Sequence, residues 1–110
     1  MKAYLRAQME RYTLRLSELE FLLSREDIMQ DMAQFLLLSR EHTEVAAVAG
    51  RWQRYQQRAS DLAGAQEMLS GAAEDADMLA MAQEEVDMAA AELAQIEAEL
   101  QRMLLPKDPD

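Results

Sequence analysis

Apolar residues recur along this chain at the spacing of an α-helix, and this pattern constrains the fold more than any other feature. The clearest stripe has steps of 3, 4, 3, 4, 3, 4 and 3 residues. Its members are Leu79, Ala82, Val86, Ala89, Leu93, Ile96, Leu100 and Met103. Such a repeat puts one continuous apolar edge on a helix, as in a coiled-coil seam. The stripe predicts a helix over about 76–105.

Two earlier stripes predict two further helices, over about 2–23 and about 32–70. The first stripe consists of Leu5, Met9, Tyr12, Leu16, Leu19 and Leu23. The second consists of Phe35, Leu38, His42, Val45, Ala49, Trp52, Tyr55, Ala59, Leu62, Gln66 and Leu69. No run of alternating β-branched residues indicates a strand. The predicted fold class is therefore all-α.

Capping residues mark where these helices begin and end. Asp31 can cap the second helix, and Asp75 and Asp77 suit the start of the third because acidic groups favour a helix N-terminus. Ser24 is a candidate N-cap for a short turn after the first helix. Gly71 fits the left-handed position that follows a helix C-terminus.

Short connections make neighbouring helices antiparallel, so we expect an antiparallel three-helix bundle with a long two-helix coiled-coil hairpin. The hairpin seam is alanine-rich, with Ala59, Ala63, Ala82 and Ala89. Gly50 and Gly64 lie inside the second helix, where glycine costs about 1 kcal/mol relative to alanine. A close backbone contact is the expected compensation.

The predicted domain covers residues 1–105, and residues 106–110 are the expected start of a linker to absent downstream domains. Pro106 and Pro109 stop the third helix and stiffen this segment. The ending suggests a piece of a longer protein.

The charge of the chain is unevenly placed. The net charge is −10, and residues 71–110 hold eleven acidic and two basic residues. An acidic surface repels phosphate, so direct nucleic-acid contact is disfavoured, whereas a basic protein patch would be attracted. Cysteine is absent, and no apolar run approaches the ~20 residues of a membrane span. We expect a cytoplasmic protein without a membrane contact.

The sequence predicts no enzyme, and we assign no catalytic, cofactor-binding or metal-ligating residue. His42 is the single histidine, and its place in an apolar stripe favours a partly buried core residue. No Glu-x-x-His pair supports a bundle-type metal site. One basic–aromatic patch, formed by Arg51, Arg54 and Arg58 with Trp52 and Tyr55, could contact RNA. We expect its aromatic rings in the core and its arginine heads in water.

Methionine is frequent, with nine residues, and four of them fall in the predicted hairpin: Met68, Met78, Met81 and Met88. A flexible thioether side chain fills irregular core gaps or serves an adaptable binding surface. We take gap-filling as the default.

Five short segments resemble the N-terminal domain of bacterial class I peptide chain release factors, in particular the release factor 1 group. They are LSRE (38–41), DLA (61–63), EML (67–69), DMLAMAQEE (77–85) and LLPKDPD (104–110). In order they cover residues 38–110, and the last is the most specific. The small-residue turn at 70–76 departs from the usual pattern.

This resemblance implies an interaction domain of a translation termination factor that directs stop-codon-dependent peptide release. The codon-reading segment and the Gly-Gly-Gln loop for peptidyl-tRNA hydrolysis are absent from the chain. The implied partners are the ribosome, at the stalk base of the large subunit, and the remaining domains of the same factor. The equivalent domain of release factor 2 is one alternative. The other is a free-standing coiled-coil protein that self-associates through Leu62, Leu69 and Leu79.

Overall fold

The computed structural model describes residues 1–71 and 75–104, which form three α-helices and one 3₁₀ turn. Helix α1 spans Ala3–Leu23, the turn spans Ile28–Gln30, α2 spans Met32–Ser70 and α3 spans Ala76–Leu104. The described residues contain no strand, so the predicted all-α class is confirmed. The predicted third-helix end at residue 105, the linker at 106–110 and part of the turn, 72–74, lie outside the described residues.

Two of the predicted helix starts are capped as expected. The backbone N–H of Gln34 donates to Asp31 Oδ1 at 3.1 Å, which satisfies one of the free donors in the first turn of α2. The N–H of Asp77 donates to Asp75 Oδ1 at 2.9 Å at the start of α3. The two carboxylates therefore set where these helices begin.

The chain divides into two compact units, Met1–Arg51 and Trp52–Asp110. In the first unit, α1 packs against the N-terminal part of α2. Leu19, Leu38 and Val45 form the buried cluster. Partly buried side chains that pack against it are Tyr12, Leu16, Leu22, Leu23 and Ile28. The predicted apolar edge of the first helix is thus the edge that is buried.

In the second unit, the C-terminal part of α2 pairs with α3 in the antiparallel direction. Arg54 of α2 contacts Glu92 of α3. Arg58 lies one turn later on α2 and contacts Glu85, which lies about two turns before Glu92 on α3. Ala82, Ala89, Ile96 and Leu100 of the predicted α3 stripe are buried in the structure. The two-helix hairpin is confirmed.

The α2 side of the hairpin seam differs from the prediction at one alanine. Ala63 is exposed, whereas Ala65 is buried and Leu62 is partly buried. A helix with 3.6 residues per turn drifts relative to a 3.5-residue repeat, so the buried edge moves around α2 along its length. The predicted 3,4 stripe included Gln66, which is exposed, and did not include Ala65, which is buried.

Ser24 does not cap the 3₁₀ turn as predicted. Its hydroxyl donates to the carbonyl oxygen of Phe21 at 2.7 Å, at the end of α1. The residue before the turn is Asp27, which makes no side-chain capping bond. A serine hydroxyl can donate back to a carbonyl three or four residues earlier, and Ser24 makes this bond in place of a capping bond to the turn.

The predictions for the three glycines are wrong. A Cβ added at Gly50 or Gly64 would meet no atom of residues 1–71 and 75–104 within 4 Å, so no close backbone contact within these ranges compensates for the two glycines. Gly71 does not have a positive φ. A Cβ there would lie 2.9 Å from the carbonyl oxygen of Glu67, so the absence of a side chain relieves crowding and serves no left-handed turn.

Candidate protein-interaction surface

Helix α3 presents an exposed face on which acidic residues and methionines alternate. We call Asp77, Met81, Glu84 and Met88 the α3 outer face; their spacing of 4, 3 and 4 residues aligns them on one side of the helix. Met81 is 70% exposed and Met88 is 53% exposed. All four are solvent-accessible, and the buried Ala82 and Ala89 lie elsewhere on the helix. This face is therefore open to a partner.

The charge of α3 is almost entirely negative. Between Ala76 and Gln101 the sequence has no lysine or arginine, and the one basic residue of the helix is Arg102. Next to the outer face, Asp87 is exposed and accepts a hydrogen bond from Gln83 Nε2 at 3.0 Å. Because no cation on the same helix neutralises Asp77, Glu84 and Asp87, the face carries a negative potential.

The hairpin methionines are exposed, so the gap-filling prediction is wrong for them. Met68 and Met78 are 42% and 44% exposed, in addition to Met81 and Met88. Unbranched thioether side chains adapt to differently shaped apolar surfaces, and methionine is common at promiscuous binding sites. Their combination with carboxylates suits a partner segment that is both basic and apolar.

The arginines of the predicted basic patch are largely used inside the second unit. Arg58 Nη1 lies 2.9 Å from Asp61 Oδ2 and 2.9 Å from Glu85 Oε1, and Arg58 Nε lies 3.2 Å from Glu92 Oε2. Arg54 Nη2 contacts the same Glu92 oxygen at 2.8 Å. The Arg58 side chain is only 13% exposed, which contradicts the prediction that its head reaches water.

Electrostatics keep Arg58 charged in this position. Burial lowers the pKa of Arg58, but hydrogen bonds to Asp61 and Glu85 and the charges of Glu85 and Glu92 raise it, and the net shift is upward. An arginine with an elevated pKa is a permanent cation. Glu85 and Glu92 are thus partly neutralised by a cation that stays charged.

The aromatic residues of the same patch pack against each other. The rings of Trp52 and Tyr55 are stacked with centroids 5.6 Å apart and an interplanar angle of 16°. Trp52 is buried and Tyr55 is partly buried, as predicted. A buried ring offers no face on which a base could stack. The patch therefore lacks the aromatic platform of a single-strand nucleic-acid site.

The first unit contains an open groove of about 410 Å³. Its lining residues are Arg15, Gln34, Leu37, Leu38, Arg40, Glu41 and Glu44. Arg15 and Glu41 form a bidentate pair across it, with Nε–Oε2 at 2.6 Å and Nη2–Oε1 at 2.8 Å. Two basic and two acidic side chains balance in the lining, so the groove selects neither an anion nor a cation.

No metal-binding cluster of three or more His, Cys, Asp or Glu side chains occurs among residues 1–71 and 75–104. His42 is partly buried within α2, where the sequence placed it. The assignment of no metal, cofactor or catalytic residue stays a prediction. In the same described ranges, no helix combines the length and apolarity needed to cross a bilayer.

Comparison with known proteins decides the family. The PCRF domain model matches residues 12–110. The chain belongs to the PCRF domain family. The domain model thus covers most of α1 and all of α2 and α3, and includes the α3 outer face.

Curated relatives of this PCRF domain carry the name peptide chain release factor 1. The chain is 74% identical to the protein of Albidiferax ferrireducens, 63% to that of Variovorax paradoxus and 49% to that of Methylibium petroleiphilum. Each match covers 100% of the chain and 29–30% of the relative, whose N-terminal part it resembles. No solved structure matches the chain. These names favour the release factor 1 group over release factor 2.

Sequence reasoning missed two features of this PCRF domain. It paired neither Glu85 nor Glu92 with an arginine, although both contact arginines 27 to 38 positions away. It also did not single out Met81 and Met88 as exposed. Met81 and Met88 are seven residues apart and lie outside the buried stripe. Because residues seven apart share a helix face, this spacing was the available signal that both are exposed.

Proposed function

We propose that this chain is the N-terminal interaction domain of a translation termination factor of the release factor 1 group, which directs stop-codon-dependent peptide release on the ribosome. The family membership and the names of the relatives support this role. The chain spans about 30% of the length of those relatives, so the activity of the whole factor belongs to a longer protein. Such a factor works in the cytoplasm, with the ribosome.

The observation that carries an interaction role is the α3 outer face. It combines exposed methionines with the carboxylates of Asp77 and Glu84, whereas Arg54 and Arg58 of the second unit are engaged in ion pairs. Charge complementarity raises the rate of encounter with a basic surface and contributes less to raw affinity. We place the partner at the stalk base of the large ribosomal subunit, on a basic protein surface.

The proposed role is non-enzymatic for this chain itself. The sequence contains no Gly-Gly-Gln tripeptide, cysteine nucleophile or Glu-x-x-His pair. Hydrolysis of peptidyl-tRNA and the reading of stop codons would belong to the remaining domains of the factor. This domain would seat those domains on the ribosome.

A release assay tests whether the 110-residue chain hydrolyses peptidyl-tRNA by itself. Ribosomes programmed with a stop codon and carrying labelled peptidyl-tRNA are incubated with the 110-residue chain. We expect no release above background, since positioning without a hydrolytic group does not accelerate the reaction. The full-length factor serves as the positive control. Stop-codon-dependent release by the chain alone would refute the proposal.

A binding assay tests the surface. Glu84→Lys with Asp87→Lys reverses charge on and beside the α3 outer face, and Glu26→Lys with Glu44→Lys is the charge-matched control at two exposed acidic residues of the first unit. Association with large subunits should slow about tenfold for the double variant and little for the control. The difference should shrink as salt is raised toward 0.5 M. Equal association rates for the two variants would show that the α3 outer face is not part of the interface.

A further inference from the structure

The methionines of the chain differ widely in their access to solvent. Met81 is 70% exposed and Met88 is 53% exposed on the α3 outer face, whereas Met9 of α1 is fully buried. A thioether sulfur is oxidised by small oxidants that reach it from solution, so its exposure controls how readily it reacts. Met81 and Met88 are therefore reactive thioethers, and Met9 is protected by the fold.

The positions of these two sulfurs allow oxidation without loss of the fold. Met81 and Met88 each precede a buried alanine, Ala82 or Ala89, and successive side chains of an α-helix point about 100° apart. The buried edge of α3 is thus formed by other residues. Oxidation of a core methionine disrupts packing, whereas oxidation of Met81 or Met88 changes the chemistry of the exposed surface.

We propose, building on the interaction role stated above, that Met81 and Met88 form a reversible oxidation site that controls docking of the α3 outer face. The oxidant is a neutral peroxide, such as hydrogen peroxide. The sulfur gives an electron pair to one peroxide oxygen, so that an S–O bond forms and the O–O bond breaks. The other oxygen leaves as hydroxide, takes the proton of the transferred OH group and becomes water. The sulfur is oxidised to a sulfoxide and the peroxide is reduced.

The reverse step restores the original surface. A methionine sulfoxide reductase returns the electron pair to the sulfur from thiol groups, which become a disulfide, and the sulfoxide oxygen leaves as water. Separate reductases act on the two sulfoxide epimers. The site can therefore cycle between an apolar and a polar form without change in the covalent chain.

The charge of the face favours a neutral oxidant over an anionic one. Asp77 precedes Met81 by four residues, and Glu84 lies three residues after Met81 and four before Met88; both carboxylates are exposed. Residues three or four apart are neighbours on a helix surface. These carboxylates repel anions such as hypochlorite, whereas hydrogen peroxide carries no charge.

Oxidation weakens the contact with the apolar part of a partner surface. The sulfoxide oxygen is a hydrogen-bond acceptor, and its burial against apolar groups without a donor is unfavourable. We expect about tenfold weaker association when both sulfurs are oxidised. Met29 and Met32 of the first unit are 57% and 50% exposed but lie outside the α3 outer face, so they supply an internal control.

Limited oxidation followed by selection tests the site without any substitution. The 110-residue chain is treated briefly with hydrogen peroxide, the peroxide is removed, and the chain is mixed with a limiting amount of large ribosomal subunits. Pelleting the subunits separates bound from unbound chain, and mass spectrometry of proteolytic peptides measures the sulfoxide at each methionine. Sulfoxide at Met81 and Met88 should be depleted several-fold in the bound chain, and sulfoxide at Met29 and Met32 should not. Treatment of the unbound chain with reductases for both epimers should restore its binding.

The possible results separate the regulation from the proposed function. Equal sulfoxide at Met81 and Met88 in bound and unbound chain would overturn the regulation alone, as would equal depletion at Met29 and Met32. Loss of helical circular dichroism in step with oxidation of Met81 would overturn it too, because binding would then be lost by unfolding. Binding that the reductases do not restore would exclude reversibility. If the untreated chain does not bind large subunits, the proposed function fails and the regulation fails with it.

Discussion

Arg58 Nη1 on α2 donates to Glu85 Oε1 on α3 at 2.9 Å, although the two residues are 27 positions apart in the chain. The same nitrogen donates to Asp61 Oδ2, and Arg58 Nε contacts Glu92. One guanidinium therefore joins three carboxylates on two helices. Planar, multidentate contacts of this kind fix the register of a helix pair, which alanine contacts alone define weakly.

Replacing this arginine should destabilise the second unit. Arg58→Met keeps the apolar stem but leaves Asp61 and Glu85 without this cation and Glu92 with Arg54 alone, so the thermal midpoint should fall. Arg11→Met, which removes an exposed arginine of α1, is the matched control and should shift the midpoint less. Adding Glu85→Gln to Arg58→Met should recover part of the loss, as residues in one network are coupled. Equal thermal midpoints for Arg58→Met and Arg11→Met would show that the ion pairs of Arg58 have no structural role.

The contrast between the buried stripes and the ion pairs shows what the sequence could predict. The α3 stripe predicted the burial of Ala82, Ala89, Ile96 and Leu100 because helical periodicity is a local property of the chain. The partner of Arg58 depends on the longitudinal register of two helices. Periodicity repeats every seven residues and does not distinguish one register from the next. Charge counts predicted the acidity of α3, whereas the exposure of Met81 and Met88 could be inferred only from their position outside the buried stripe.

The core of the first unit should depend on Leu19 far more than on Leu14. Leu19 is 0% exposed and Leu14 is 67% exposed, and both lie on α1. Leu19→Ala removes a fully buried side chain and should cost about 2–5 kcal/mol of unfolding free energy. Leu14→Ala should change it by less than about 0.5 kcal/mol at low concentration. Urea unfolding monitored by circular dichroism measures both, and similar losses for the two leucines would contradict the helix orientation.

Gly50→Ala and Gly64→Ala should each stabilise α2. Both glycines lie within the helix, and an added methyl group meets no atom within 4 Å. Alanine is favoured over glycine by about 0.5–1 kcal/mol in a helix interior, chiefly because it restricts the unfolded chain. Gly71→Ala is the contrasting variant, because its methyl group would crowd the carbonyl of Glu67 at 2.9 Å. A lower thermal midpoint for Gly50→Ala or Gly64→Ala would contradict the open space found around these two positions.

The Arg15–Glu41 pair should make the first unit sensitive to acid. A hydrogen bond from Arg15 holds the pKa of Glu41 below its ordinary value near 4.5, and the charge of Arg15 acts in the same direction. A carboxyl group whose pKa is lower in the folded state than in the unfolded state stabilises the fold at pH values above its unfolded-state pKa. That contribution disappears as the pH falls through the folded value. The unfolding free energy should therefore decline as the pH falls below the ordinary value near 4.5, and Glu41→Gln should flatten part of this decline. Near pH 7 Glu41→Gln should be less stable than the unsubstituted chain, and the two should converge at low pH.

Glu44→Gln, at an exposed glutamate one turn away, is the control and should leave the pH profile unchanged. A constant difference between Glu41→Gln and the unsubstituted chain from pH 7 to pH 3 would show that the ion pair is not the source.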